Sequence, residues 1–537
     1  MSSRVSRGLD VGPEHLHPKP VDLEVGSART DHAEGEAGAL MVGVKLPMPE
    51  LVRGWLAVSI MTLGAIFSLL GVLIVSYFDE EISADIGMTD AQYGMLTGYA
   101  YYLLFSLTMF FQGYFIDKYM LNRIYVVAFG GLLTAGALLI QAFAKNFIMM
   151  LCGMVLSAIG GSVFAILPIP ILSDILPPEQ LSLAGALFSC AAYIAQALAG
   201  NLAFLCDQNG ISWRWPVLAL GAGCGAAAIA TLVFIREPLI GRFLFKKPGV
   251  EGAVTPNFTA KQTITYMASM KSMWILTIAT GLRLLPLNLS GAYMPSFFSA
   301  LYDTQTSVYT AMASIMGICG IVAAFIYGAV CQRFYVKVPT ISLYTTAIGA
   351  IFAAAFAAMT ISSRSIAREN PDIGYRVGLT CMSLMILAGE GWVGPLTVMM
   401  TLALPPDIKS FAISVWCGLA QLIGPATSVL FGIFLTVGRW EHGKPEYIPP
   451  ARNYMLLALL FSYVSAAVMY LAAVPGVKLD IAKLARSGGS SQATLSPRRK
   501  IAFIIGSATL LLGVTVLVVM SFIFSFNPDI VMHPKIG

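Results

Sequence analysis

Long, largely uncharged stretches alternate with short polar ones along most of the chain. Apolar residues run through Gly54–Tyr77, Gln92–Ile116, Ile124–Ala144, Phe147–Ser173, Leu181–Cys206, Trp215–Ile235, Ser272–Phe298, Val308–Cys331, Pro339–Thr360, Val377–Leu404, Phe411–Val437, Asn453–Val474 and Ile501–Phe526. Crossing roughly 30 Å of hydrocarbon takes about 20 helical residues, and each run meets that length. The runs are too long for strands, and inside a bilayer only a helix satisfies its own backbone N–H and C=O groups. The pattern therefore predicts an all-α polytopic membrane protein of twelve spans plus a thirteenth.

The chain also repeats. Leu176-Pro177-Pro178-Glu179 joins spans four and five, and Leu404-Pro405-Pro406-Asp407 joins spans ten and eleven. Each follows a proline-containing span (Pro168 and Pro170; Pro395) and precedes a small-residue span carrying a glutamine (Gln196; Gln421). Gly113-Tyr-Phe-Ile-Asp117-Lys118 is answered by Gly328-Ala-Val-Cys-Gln-Arg333 at the matching place of the second half. Two six-helix bundles follow from this, residues 51–235 and 272–474. A basic linker over 236–271 joins them. The remaining segments are a disordered tail over 1–50, a second linker over 475–500, the thirteenth helix over 501–526 and a short end over 527–537.

Composition and charge fit that frame and orient it. Of 537 residues only 11% are charged, where soluble proteins carry about 25%, and mean hydropathy is +0.76. The linker 236–271 is rich in Arg and Lys, whereas the first loop on the other side holds Asp79, Glu80, Glu81, Asp85 and Asp90 with no base. Basic loops lie on the cytoplasmic side, which places the amino terminus there; Arg364, Arg368 and Arg376 form one dissenting loop. Met1–Glu50 has no signal-peptide pattern, and plasma and endolysosomal membranes both fit. The eight cysteines are scattered without metal-ligand or disulfide spacing, so no metal is expected. The net charge of +5 calls for no nucleic acid.

The stretch Gly113-Tyr-Phe-Ile-Asp117-Lys118-Tyr-Met-Leu-Asn-Arg123 reads as a hairpin loop between spans two and three, its charges at a water interface. It resembles the Gly-x-x-x-Asp-Arg-x-Gly-Arg-Arg loop of major facilitator superfamily transporters, with Lys118 in place of arginine and without the second glycine. Together with the repeat, the resemblance covers Leu51–Val474 and implies that family's fold, two six-helix bundles related by pseudo-symmetry. It further implies a conformational switch built on Gly113, Asp117, Lys118 and Arg123, with Asp117 near the start of span eleven. Ser76-Tyr77-Phe78-Asp79 is similar to the Asn-Tyr-x-Asp-Arg of Spinster-like transporters, and Trp213-Arg214-Trp215 to their Trp-Arg-Trp. The Gly-x-Gly-Glu-Ala of that group falls on Ala158-Ile-Gly-Gly-Ser162, which lacks the glutamate.

Two charges stand inside spans, where desolvation costs at least a few kcal/mol and an ionisable residue marks a functional site. Arg283 lies eleven residues past Ser272, about 16 Å along a helix, and Glu390 lies in mid-span within Gly389-Glu-Gly-Trp-Val-Gly-Pro395. Arg283 either faces a central cavity as an anion-binding group or snorkels to the interface. Glu390 either carries a proton or is a structural acid, and the two also fit as partners of each other. Asn288, Gln196 and Gln421 are candidate neutral substrate contacts, with helix-to-helix hydrogen bonding as the plainer role. Asp79 joins Glu390 as a proton-coupling candidate, because burial raises a carboxyl's pKa toward neutrality. Pro286, Pro295 and Pro395 are expected to kink lining helices.

Phosphate-binding loops, zinc-protease motifs and nucleophile elbows are all missing from the sequence, so neither enzymatic activity nor a cofactor is expected. The reading is a secondary transporter of a small organic solute or lipid-like amphiphile, proton-linked, working by alternating access. The alternatives are an uncoupled facilitator and a non-transporting receptor or scaffold with the same fold.

Overall fold

A computed structural model describes residues 47–75, 77–87, 96, 99–119, 121–238, 260–302, 308–335, 337–367, 370–405, 408–438 and 445–486, with scattered positions between 501 and 520. The expected tail over 1–46, most of both linkers (239–259 and 487–500), Asp90, Asp407 and the end of the chain over 521–537 lie outside the described residues, as does the side chain of Asp79.

The described residues contain no strand. The first bundle comprises α1 (Met48–Val75), the short α2 (Asp79–Ile86), α3 (Tyr99–Tyr119), α4 (Arg123–Ala142), α5 (Phe147–Ile166), α6 (Pro168–Ile175), α7 (Pro178–Gln208) and α8 (Arg214–Phe234). After α9 (Ala260–Ser269), the second bundle comprises α10 (Lys271–Leu301), α11 (Val308–Phe334), α12 (Ile341–Ile361), α13 (Ser363–Ile366), α14 (Pro371–Gly389), α15 (Val393–Ala403), α16 (Lys409–Ile423), α17 (Ala426–Gly438) and α18 (Ile448–Arg486). Among the described residues ten segments are long and apolar enough to cross a membrane; α3 and the broken α16–α17 lie at the two remaining spans of the predicted twelve.

Local chemistry explains the boundaries. Asn122, Asn146 and Asn370 cap α4, α5 and α14, their side-chain oxygens accepting from first-turn N–H groups at 2.9–3.4 Å. Three spans read as continuous are broken instead: the fourth at Leu167, the tenth over Glu390–Trp392 and the eleventh at Gly424. Each break lies beside a proline (Pro168 and Pro170, Pro395, Pro425) that has no N–H to return to the preceding turn. By contrast Pro286 leaves α10 unbroken, and α18 runs through Pro475 to Arg486, beyond the expected end at Val474. The extension of α18 is held by burial of Val477 and Leu484 and by Asp480, which accepts from the Ser272 hydroxyl at the start of α10.

Within the first bundle α4 packs on α5 and α8, and α1 on α7 and α8; within the second, α18 packs on α10 and α12, and α14 on α11 and α12. The bundles meet along two lines, α7 against α11 and α3 against α16, with α15 also lying on α7. Exchanging the repeats turns span five into span eleven and span eight into span two. The two lines are thus one contact used twice, as a parallel repeat requires.

The described positions between 501 and 520 are helical and mostly exposed, as lipid-facing residues are. If this helix crosses the bilayer, a reporter fused after Gly537 is expected on the side opposite one fused before Met1. Finding both reporters on one side would show that it does not cross.

Candidate functional site

The break in the tenth span builds the site. Because α14 stops at Gly389, its last carbonyls have no helical N–H to receive. Three side chains from three different helices supply the missing donors. The Arg283 guanidinium of α10 donates to the Gly389 carbonyl, the Tyr327 hydroxyl of α11 to Ala388, and the Tyr193 hydroxyl of α7 to Glu390. The partial negative charge at the C-terminus of α14 favours the guanidinium there.

Arg283 also pairs with the Glu390 side chain, Nη2 to Oε1 at 3.2 Å, and the two side chains are 0% and 5% exposed. The guanidinium carbon lies 4.6 Å from the centre of the Tyr463 ring and 5.8 Å from that of Trp392. Glycine at 389 is what permits this approach, since a Cβ there would fall 2.9 Å from Nη2. Arg283 therefore neither snorkels nor lines an open cavity. It is sealed inside the second bundle as the partner of Glu390. Its Nε and Nη1, and the indole Nε1 of Trp392, are buried and meet no hydrogen-bond acceptor in good geometry among the described residues.

The remaining candidates are dispersed. Asn288 donates to Leu284 of its own helix at 2.9 Å and abuts Gly424 in the break of span eleven, while Gln421 lies half-buried one turn before that break. Gln196 donates to the Tyr77 hydroxyl at 3.3 Å within the first bundle. Asp79 starts α2 rather than ending the first span. Nearby, Asp85 accepts from Trp213 Nε1 at 3.0 Å and Arg214 Nη2 at 2.8 Å, and Glu81 from the Trp213 N–H at 3.4 Å.

A second charged cluster bridges the bundles at the far end of α3. The expected hairpin loop is mostly helix, with α3 running to Tyr119, and Asp117 and Arg123 are buried rather than at a water interface. Asp117 accepts from the Phe411 N–H at 2.7 Å, in the first turn of α16, where the helix dipole favours an anion. Gly113 lies where any Cβ would collide with Ser414. Arg123 donates to Asp174 at 2.8 Å and to Glu237 at 2.7 Å, and Lys409 of the second bundle reaches Asp174 at 3.3 Å and Ser173 at 3.0 Å. Lys118 takes no part in this network; it is exposed over the rings of Tyr114 and Tyr119.

Sequence reasoning missed Asp174, Glu237, Lys409 and Tyr193. The first three flank predicted spans, where charges are ordinary. The only signal was that Asp174 and Lys409 sit beside the two double prolines of the repeat.

Comparison with known proteins agrees with this architecture. Among solved structures, a bacterial homologue of the human lysosomal transporter Spinster, inward-facing and unoccupied, is similar at a TM-score of 0.51 and 15% identity, over 83% of this chain and 99% of that one. The MFS proton:xylose symporter XylE bound to 6-bromo-6-deoxy-D-glucose is similar at 0.58 and 12%, over 79% of this chain and 95% of that one. At these identities the likeness is one of fold. No curated protein sequence matches the chain. The family model of the Major Facilitator Superfamily matches residues 56–428, more than half of the sequence, and the chain belongs to that superfamily of membrane transporters.

Proposed function

We propose that this protein is a proton-coupled secondary transporter that moves a small organic solute or amphiphile by alternating access of residues 51–235 and 272–474. The observation that carries the reading is the sealed Arg283–Glu390 pair at the helix break. Two charges removed from water cost several kcal/mol each, an expense that a scaffold recovers in nothing. In a transporter the pair gives Glu390 two states, ionised against Arg283 or protonated with the guanidinium released to an acceptor such as a substrate anion. Arg283 Nε and Nη1, which meet no acceptor in good geometry among the described residues, support that second state. The cluster of Asp117, Arg123, Asp174 and Lys409 serves as the latch that closes the cytoplasmic side, because it joins the bundles through a helix N-terminus and a buried ion pair. Gln196, Gln421 and Asn288 are proposed as neutral contacts that a substrate meets once the latch opens.

Reconstitution into liposomes with an imposed pH gradient and a panel of neutral, anionic and zwitterionic solutes tests this reading. Concentrative uptake that collapses with a protonophore is expected. Uptake that equilibrates but never concentrates would assign a facilitator, and saturable binding without movement of any solute would assign a receptor.

A further inference from the structure

We propose that Tyr193 is the positioning residue through which the first bundle reads Glu390, its hydroxyl coupling the protonation of that carboxyl to movement of the bundles past one another. The inference rests on the reading of Glu390 as the proton site.

Of the groups gathered at the break, Arg283, Tyr327, Trp392 and Tyr463 all belong to the second bundle, and Tyr193 comes from the first. Its hydroxyl donates to the Glu390 carbonyl and lies 3.4 Å from Glu390 Oε2. One residue of α7 thus touches both the main chain freed by the break and the carboxylate beside it. The ring has little freedom to leave. It lies across α11 at Gly320, where a Cβ would fall 2.2 Å from Tyr193 Cδ1, and it packs with Cys190 and Ala324 in a small cluster on the α7–α11 seam. Moving α7 along α11 therefore has to move the hydroxyl off the break.

The titratable groups facing Glu390 are Arg283 of α10, Tyr327 of α11, Tyr463 of α18 and Tyr193 itself, with Cys190 facing Tyr193 from its own helix. Arg283 is the one fixed positive charge among them. When a proton binds Glu390, the ionic attraction to Arg283 is lost and the carboxyl gains a donor. The Tyr193 hydroxyl, which bridges carbonyl and carboxyl, meets that change directly, whereas the tyrosines of the second bundle stay with the break whichever way the bundles move. A phenylalanine in the same groove would keep the packing and leave the Glu390 carbonyl without its donor.

The test uses the full chain in lipid nanodiscs, with spin labels attached through unnatural amino acids at the exposed Asn209 and Ile373, one in each bundle. Distance distributions are recorded from mildly acidic to mildly alkaline pH, so no substrate is needed. The parent is expected to shift between two populations with pH, and Glu390→Gln to lose the shift. Tyr193→Phe is expected to change the ratio of populations at a given pH by about tenfold, the size of one buried hydrogen bond. A parent-like pH response in Tyr193→Phe, with Glu390→Gln unresponsive, would overturn the role of Tyr193 and leave Glu390 as the proton site. A pH response unchanged in Glu390→Gln, or none in the parent, would remove Glu390 itself and with it the coupling. Should Tyr193→Phe not fold, Gly320→Ala decides, since it displaces the ring and keeps the hydroxyl; a parent-like response there overturns the proposal.

Discussion

Glu390→Ala is expected to destabilise the folded protein by about 3–5 kcal/mol and to abolish transport, because it leaves the guanidinium of Arg283, 0% exposed, without its counter-charge. Arg283→Ala is expected to be similarly severe, since it strips the Gly389 carbonyl of its donor as well as the carboxylate of its cation. Arg283→Lys should be milder for folding but poor for transport, as a single ammonium cannot hold both groups in the geometry of the planar fork. Exchanging the pair, Arg283→Glu with Glu390→Arg, should restore part of the stability and little of the transport. The charges are again matched, yet a carboxylate at position 283 has nothing to donate to the Gly389 carbonyl. Thermal unfolding monitored by size-exclusion chromatography, beside proteoliposome uptake, checks all four. Parent-like stability and uptake in both alanine variants would sink the pair as the centre of the protein.

Asp117→Ala is expected to open the latch. It leaves the Phe411 N–H buried without an acceptor only while this end is closed, a penalty of about 1–3 kcal/mol against that state, or roughly 5- to 150-fold in the balance of open to closed. Asp117→Asn keeps an acceptor oxygen and loses only the charge facing the helix dipole, so its shift should be smaller. Lys409→Ala should open the same end, because Lys409 is the group of α16 that reaches Asp174 across the seam, although Arg123 continues to neutralise that acid. Accessibility of this face to a membrane-impermeant reagent, or labels placed on either side of it, measures the balance. An unchanged balance together with an unchanged transport rate in Asp117→Ala would rule out the switch.

How much of this was legible in the sequence depended on the range of the interaction that decided it. Hydrophobic length fixed the spans, since a bilayer admits only self-satisfied helices, and the doubled Pro-Pro-acid and glycine-to-base signals identified the repeat. Arg283 and Glu390 stood out by themselves, because a charge inside an apolar run has few ordinary explanations. Their partnership was one of several readings that the sequence left open. The two residues lie on different helices, and only the break of the tenth span, where Gly389 lets the guanidinium approach and Pro395 withholds an N–H, brings them to 3.2 Å. The expected exposure of Asp117 and Arg123 failed for a similar reason. A loop-end acid is buried here because its partner is a backbone N–H of α16; the resemblance pointed to the start of span eleven as its neighbour, but a position beside that helix start does not by itself say that the contact is closed to water. Tyr193 carried no signal at all, one tyrosine among 21, until the packing of α7 into the groove at Gly320 set its hydroxyl against the carbonyl of Glu390. Composition and periodicity determined what lies in the membrane; only the packing of distant helices decided which buried polar groups satisfy one another, because hydrogen bonds and ion pairs act over a few ångströms that chain order does not specify.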